Sequence, residues 1–339
     1  MKKLRIAIPH GDINAIGYEL IFKTFAESEM LDMCTPIVYG TPKVAAYHRN
    51  ALDIPAVFSI ISQPAEAREG RLNLLNTIDD ELKIDFGQLS PDATRAAKVA
   101  LDQALKDLQA GQVDCLVLAP SCPIDGKTAE QYIAAQLQVA DAPLTILIGA
   151  HLRLAFATEG LTLSQVAGNI NETKVQAAVE TFHTALQRDL RVTAPRIALL
   201  RTDLSQQTST SAADAEGGQS FYGPFSAPEF FAQGNLTPYN GILSLYDAQA
   251  LLAFNCLEAE GGVRFTAGLP YIVCAPQVDN RYTNAGKNQA DCATFRQAIY
   301  LAIDTYFNRV NYDEPLANPL QKLYHERRDD SEKARFKKS

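Results

Sequence analysis

Pro91-Asp92-Ala93-Thr94-Arg95-Ala96-Ala97-Lys98-Val99-Ala100-Leu101-Asp102-Gln103-Ala104-Leu105-Lys106-Asp107-Leu108-Gln109-Ala110, followed four residues later by Cys115-Leu116-Val117-Leu118-Ala119, decides how this chain folds. In the first part Ala93, Ala97, Ala100, Ala104 and Leu108 recur at three- or four-residue spacing, which places them on one face of a helix. The second part is a short apolar run bounded by polar and turn residues, and it predicts a strand. Helix and strand therefore follow one another within a single short segment, the signature of α/β layering.

The same alternation extends in both directions. Strands are predicted at Arg5–Ile8, Pro36–Tyr39, Leu144–Ile148, Arg153–Thr158, Arg196–Leu200, Gly241–Leu245 and Tyr271–Ala275. Helices are predicted at Glu172–Arg188, with Val175, Val179, Phe182 and Leu186 on one stripe, and at Cys292–Asn308, with Phe295, Ile299, Ala302, Ile303 and Tyr306 together. Thr208–Ser220, rich in Ser, Thr, Ala and Gly, predicts a surface loop. The tail Gln321–Ser339 carries seven basic residues against four acidic ones and reads either as a solvated end or as a docking arm.

A length of 339 residues is enough for about two domains at ~150 residues each. Apolar residues make up 47% and charged residues 21%, the balance of a globular protein with a buried core. The net charge of −8 repels phosphate backbones, so neither nucleic acid nor an anionic membrane is an expected partner. The apolar run after Met1-Lys2-Lys3-Leu4-Arg5 is too short for a signal peptide, and no run approaches ~18 residues, so a cytoplasmic protein is expected. Six scattered cysteines without a C-x-x-C pair read as buried thiols rather than disulfides or zinc ligands.

Several segments in order resemble the 4-hydroxythreonine-4-phosphate dehydrogenase family of vitamin B6 biosynthesis. They are Gly11-Asp12-Ile13-Asn14-Ala15-Ile16-Gly17-Tyr18-Glu19, Ile37-Val38-Tyr39-Gly40-Thr41-Pro42-Lys43-Val44, Leu118-Ala119-Pro120, Leu152-Arg153-Leu154-Ala155, Pro195-Arg196-Ile197-Ala198, Gly223-Pro224-Phe225, Tyr246-Asp247-Ala248-Gln249, Thr266-Ala267-Gly268-Leu269-Pro270 and Ala285-Gly286-Lys287-Asn288. The resemblance implies a two-domain α/β/α fold of the isocitrate and isopropylmalate dehydrogenase type. Residues 1–125 with 276–320 would form one domain, residues 126–275 the other, and residues 321–339 a flexible charged tail. It further implies a homodimer whose site oxidises the hydroxyl of a phosphorylated amino acid with NAD or NADP, using a divalent metal as Lewis acid.

Carried over position by position, the resemblance places the family's three metal histidines at Gly160, Ser205 and Asp247. None of the three is a histidine here, and one carboxylate does not make a dehydrogenase metal site, so no divalent metal is expected. Of the substrate-handling positions, a family Pro-Ile-Asn-Lys reads Pro120-Ser121-Cys122-Pro123, with Lys127 nearby as a substitute. A family lysine falls on Asn255, an asparagine on Arg264 and an arginine on Val273. The remnants of a substrate pocket are thus Asp12, Lys127, Asp247 and Arg264, with Arg264 compatible with a small anionic ligand. Asp12 reads equally as a cap on the following helix.

Gly286, Lys287, Asn288 and Asp291 resemble part of the family's dinucleotide cradle, where a glycine allows close approach and a lysine faces a phosphate. His10 and His151, at strand ends, read as satisfied surface or core residues. The expectation is a homodimer that keeps the fold without metal-dependent dehydrogenase chemistry. The alternatives are an active dehydrogenase with a rearranged site using Asp12, Asp247 or Asp279, or a binding or regulatory partner of an active paralogue.

Overall fold

A computed structural model of the chain describes residues 3–78, 81–139, 142–202, 221–232, 234, 236–278 and 281–317. Their strands are β1 (Leu4–Pro9), β2 (Cys34–Gly40), β3 (Phe58–Ile61), β4 (Leu72–Asn76), β5 (Cys115–Val117), β6 (Leu144–Ile148), β7 (Arg153–Phe156), β8 (Ile197–Arg201), β9 (Phe221–Ser226), β10 (Gly241–Ser244), β11 (Val263–Ala267) and β12 (Val273–Pro276). The helices are α1 (Gly17–Phe25), α2 (Ser28–Met33), α3 (Pro42–Ala51), α4 (Pro91–Gln109), α5 (Ala129–Gln136), α6 (Leu163–Asn169), α7 (Glu172–Thr184), α8 (Ala227–Ala232), α9 (Asp247–Leu257) and α10 (Ala293–Ala317).

All twelve strands join one sheet in the order β3-β4-β2-β1-β5-β12-β11-β6-β7-β10-β8-β9. The two wings, β3 to β12 and β7 to β9, are parallel throughout. They meet through antiparallel pairs made by β11 with β12 and β6, and by β6 with β7. Parallel strands are covered on both faces, and every residue of β2 is accordingly buried. One apolar cluster runs from Leu4, Ile6 and Ile8 through Phe265 to Phe295 and Ile299, so a single core spans both wings. A second cluster lies between the first wing and α4 and α5, and a third packs Leu154, Ile242 and Phe254 beneath α8 and α9. Helices therefore sit on both sides of the sheet, giving an α/β/α fold.

Local chemistry sets the helix ends. The Ser90 side chain accepts from the Ala93 amide with Pro91 at the first helical position, which starts α4 where the alanine stripe begins. Thr128 and Gln131 form a reciprocal capping box at α5. Asn171 caps α7, which continues as a wider turn over Ala185–Asp189, so the predicted Glu172–Arg188 helix is present. Strands β3, β4, β9 and β11 add to those predicted from sequence.

Five of the six cysteines are buried, Cys256 on α9 is exposed, and all six are free thiols. Among the described residues, no helix is long and apolar enough to cross a membrane. Ser205, Asp279, the predicted loop Thr208–Ser220 and the tail from residue 321 lie outside the described residues.

Candidate functional site

A cavity of about 270 Å³ opens beyond the ends of β5 and β12, against β11 and the start of α5. Arg264 on β11 reaches into its wall. The Nε of Arg264 donates to Glu130 Oε1 at 3.1 Å, one terminal nitrogen donates to Glu159, and the other reaches Gln277 Oε1 at 3.4 Å. The three charged side chains are 16%, 9% and 20% exposed, so the cluster is largely out of water. Glu130 lies in the first turn of α5, where the helix dipole favours an anion. Burial works to raise its carboxyl, but the Arg264 guanidinium, together with hydrogen bonds from its own backbone amide and the Thr128 hydroxyl, holds it below the ordinary range, ionised. Glu159 also accepts from the Thr145 hydroxyl at 2.8 Å. Arg264, singled out in the sequence as compatible with a small anionic ligand, is thus paired with the chain's own carboxylates Glu130 and Glu159.

Asp12 follows β1 and is fully buried. Its carboxylate accepts from the Asn14 amide at 2.8 Å and from the Tyr282 hydroxyl at 2.7 Å. It does not cap α1, whose N-cap Ile16 has no side-chain partner. Asp12 instead fixes the turn before the helix. The neighbouring Asn14 accepts from the Asp85 amide at 2.7 Å, tying that turn to the segment before α4. Lys127 is exposed and closes a tight turn through backbone bonds of 2.9 and 3.0 Å with Ile124. Its side chain does not line the cavity.

The structure brings Gly160 and Asp247 together. Asp247, the first residue of α9, accepts from the Gly160 amide through Oδ2 and from the Ala248 amide through Oδ1, both at 2.8 Å. Both carboxylate oxygens are thus engaged by backbone, and Gly160 supplies no side chain. Among the described residues, no group of three or more His, Cys, Asp or Glu is placed to hold a metal ion. The described side chains around Gly160 and Asp247 do not fit the divalent metal that the family resemblance implies.

The segment 284–291 is bound to the protein itself. Gly286 has φ +75°, and an added Cβ would lie 2.9 Å from the Phe86 ring. The close approach this glycine permits is to its own chain. Asn288 Nδ2 donates to Leu52 O at 2.9 Å, while Lys23 Nζ donates to the carbonyls of Asn288 and Ala290 at 3.1 and 2.9 Å. The Ala290 amide donates to Glu19 at 2.7 Å, and Asp291 accepts from the Ala293 amide at 2.9 Å at the start of α10. Only the Lys287 side chain of this set is exposed without such a role. The segment is pinned to α1 and α10, and its glycine edge does not fit a dinucleotide phosphate.

His151 is exposed, whereas His10 and His48 are buried. His10 stacks on Tyr18 at 5.4 Å, and Tyr18 meets His48 at 5.0 Å. His48 Nε2 pairs with Ile13 O at 2.7 Å, but among the described residues neither ring nitrogen of His10 makes a well-formed hydrogen bond. His10 is a core residue, yet not a satisfied one. Burial, aided for His10 by the neighbouring His48, lowers both imidazoles to about 4.

Sequence reasoning missed Glu130, Glu159 and Gln277. They lie 134, 105 and 13 residues from Arg264, so no local spacing connects them. The usable signal was Arg264 itself, an isolated charge within the apolar run Val263–Ala267, because a buried guanidinium requires carboxylate partners.

Comparison with known proteins agrees with this architecture. Solved 4-hydroxythreonine-4-phosphate dehydrogenases from Klebsiella pneumoniae and Burkholderia phymatum match with TM-scores of 0.72 and 0.68, each at 21% identity. They cover 91% and 90% of this chain and 98% and 99% of their own. The fold is therefore the α/β fold that these structures share. A 4-hydroxythreonine-4-phosphate dehydrogenase from Bacteroides thetaiotaomicron is 39% identical, covering 98% of this chain and 97% of its own length. One from Prosthecochloris aestuarii is 27% identical, over 88% of this chain and 96% of its own. The family model described as pyridoxal phosphate biosynthetic protein PdxA matches residues 32–201 and 207–302. The chain belongs to that family.

Proposed function

We propose that this chain is a family member without metal-dependent dehydrogenase activity, acting as a homodimeric binding protein in two lobes, 1–125 with 276–320 and 126–275. The observation that carries this reading is the hydrogen bond from the Gly160 amide to Asp247. It joins two of the three positions where the resemblance puts imidazoles, with a backbone amide in place of one ring and a single carboxylate in place of another. The pinned segment 284–291 adds support, because a nicotinamide cofactor finds no free glycine edge. Without the metal, a hydroxyl of the substrate would lose the Lewis acid that stabilises charge as it is oxidised, an effect worth several kcal/mol. What the described residues retain is a cavity able to bind and orient a small molecule.

The test is turnover. Purified full-length chain, supplied with Mg²⁺, Mn²⁺ or Zn²⁺, NAD or NADP, and 4-phosphohydroxythreonine, is expected to reduce no cofactor above background. Metal-dependent reduction would overturn the proposal. The full-length likeness to the Bacteroides thetaiotaomicron protein favours a second reading, an active dehydrogenase with a rearranged site. Under that reading the same assay shows turnover, and Asp247→Asn abolishes it. A role beside an active paralogue would appear as hetero-oligomers in sizing experiments on the mixed proteins.

A further inference from the structure

A second cavity, of about 450 Å³, shares no residue with the one beside Arg264 and is bounded by the turn between β6 and β7, the segment joining α9 to β11, and one face of α10. Part of its wall is apolar: Ile148, Val263 and Leu301 line it, and so do Leu257 and Tyr300, which are 48% and 38% exposed. The charged part is acidic. Glu258, Glu260 and Asp304 line it against one imidazole, His151, so the wall stays negative whichever form that ring takes. Among the described residues no lysine or arginine lines it, and the two arginines of α10 are engaged elsewhere, Arg296 with Glu27 at 2.6 Å and Arg309 with Asp189 at 2.7 Å. The Glu258 carboxylate is held by three backbone amides rather than by a cation. Glu260 and Asp304 are exposed and have no ion-pair partner among the described residues.

The chain itself carries the complement. The acidic residues of its tail, Glu326, Asp329, Asp330 and Glu332, all precede Lys333, and Lys333-Ala334-Arg335-Phe336-Lys337-Lys338-Ser339 holds four cations about a single phenyl ring and no acidic side chain. We propose that Lys333–Ser339 docks on this cavity, with Phe336 against Leu257, Tyr300 and Leu301 and the flanking cations on Glu260 and Asp304. The length of chain permits it. Asp304 lies thirteen residues before Ala317, the last residue of α10, which is about 20 Å along the helix. The fifteen residues 318–332 can span up to ~50 Å, more than enough to return. Covering the exposed Leu257 and Tyr300 with an aromatic ring supplies the affinity, and the opposite charges fix where the segment sits. The docking depends on neither the first cavity nor the dehydrogenase chemistry.

The experiment is cross-linking of the full-length protein with a carbodiimide, which joins an amine directly to a carboxylate, read by peptide mass spectrometry on an equal mixture of unlabelled and ¹⁵N-labelled copies. Lys333, Lys337 or Lys338 is expected to link to Glu260 or Asp304 within one copy, at least fivefold more often than to Glu69 or Glu229, exposed carboxylates near opposite edges of the sheet. Phe336→Ala is expected to lower those links at least fivefold and to quicken amide exchange at Gly149–Leu152 and Glu258–Gly261. Reversing charge with Lys337→Glu and Lys338→Glu together is expected to lower the remaining Lys333 links by a similar factor. Both variants leave every described residue unchanged. Tail lysines linked evenly over the surface, or links and exchange unchanged in both variants, would each overturn the proposal. Links found only between copies would overturn it too, making a second copy the occupant.

Discussion

Acid should unfold this protein through its two buried imidazoles, and the size of the effect follows from their surroundings. His10 and His48 lie between β1, α1 and α3, stacked about Tyr18, and burial lowers both from 6.5 to about 4. In the unfolded chain each regains an ordinary value near 6.5. Between pH 6.5 and 4 the unfolded state therefore holds more protons than the folded state, and stability falls as pH falls. Each imidazole contributes a slope of about 1.4 kcal/mol per pH unit within that window, reaching on the order of 3 kcal/mol by pH 4. Above pH 6.5 both are neutral in either state and this slope vanishes.

Urea unfolding at pH 7.5, 5.5 and 4.5, followed by circular dichroism, measures it. His48→Gln keeps a donor for the Ile13 carbonyl and removes one titrating group, so it should flatten the curve by about 1.4 kcal/mol per pH unit against wild type. Carboxylate pairs elsewhere add to the acid sensitivity of both proteins equally and cancel in the comparison. Identical pH slopes for wild type and His48→Gln would refute the reasoning.

Three further outcomes are expected. Arg309→Met removes the partner of buried Asp189, which it meets at 2.7 and 3.3 Å, and should cost about 3–5 kcal/mol in denaturant unfolding at pH 7. Glu258→Ala exposes the amides of Ala150, His151 and Leu152, which its carboxylate now accepts at 3.1, 2.7 and 2.7 Å; a loss of about 3 kcal/mol is expected, with raised amide exchange confined to that loop. Gly286→Ala should cost about 1–3 kcal/mol through its positive φ and the Phe86 contact, and Phe86→Leu should recover part of this in the double variant.

The repeating layers were legible because their signals are local. The stripe from Ala93 to Leu108 makes a helix whatever it packs on, and apolar runs such as Cys115–Val117 are strands with both faces covered. Strand β4 was not legible because Asn73 interrupts it. That amide is buried and donates to the carbonyls of Pro36, Arg68 and Arg71, a solution available only once β2 lies alongside. Strand β11 was hidden for a related reason, since Arg264 makes the run look exposed until Glu130 and Glu159 are in place. The site followed the same division. Gly160 and Asp247 were singled out by resemblance, but their direct bond is a property of the folded chain. Sequence leaves Asp12 open between a pocket residue and a helix cap, because the partner of its second oxygen, the hydroxyl of Tyr282, lies 270 residues away.

The distribution of sulphur has a practical use. With five thiols shielded, Cys256 is the one cysteine open to reagents, and it sits on α9 nine residues beyond Asp247, about 14 Å along the helix axis. A nitroxide or fluorophore attached there requires no engineered cysteine and reports from the same rigid rod that begins at Asp247. Added Mn²⁺ seated near that carboxylate would broaden the nitroxide spectrum, while an unaffected spectrum would leave the carboxylate with its amides, so a native side chain serves as a local ruler.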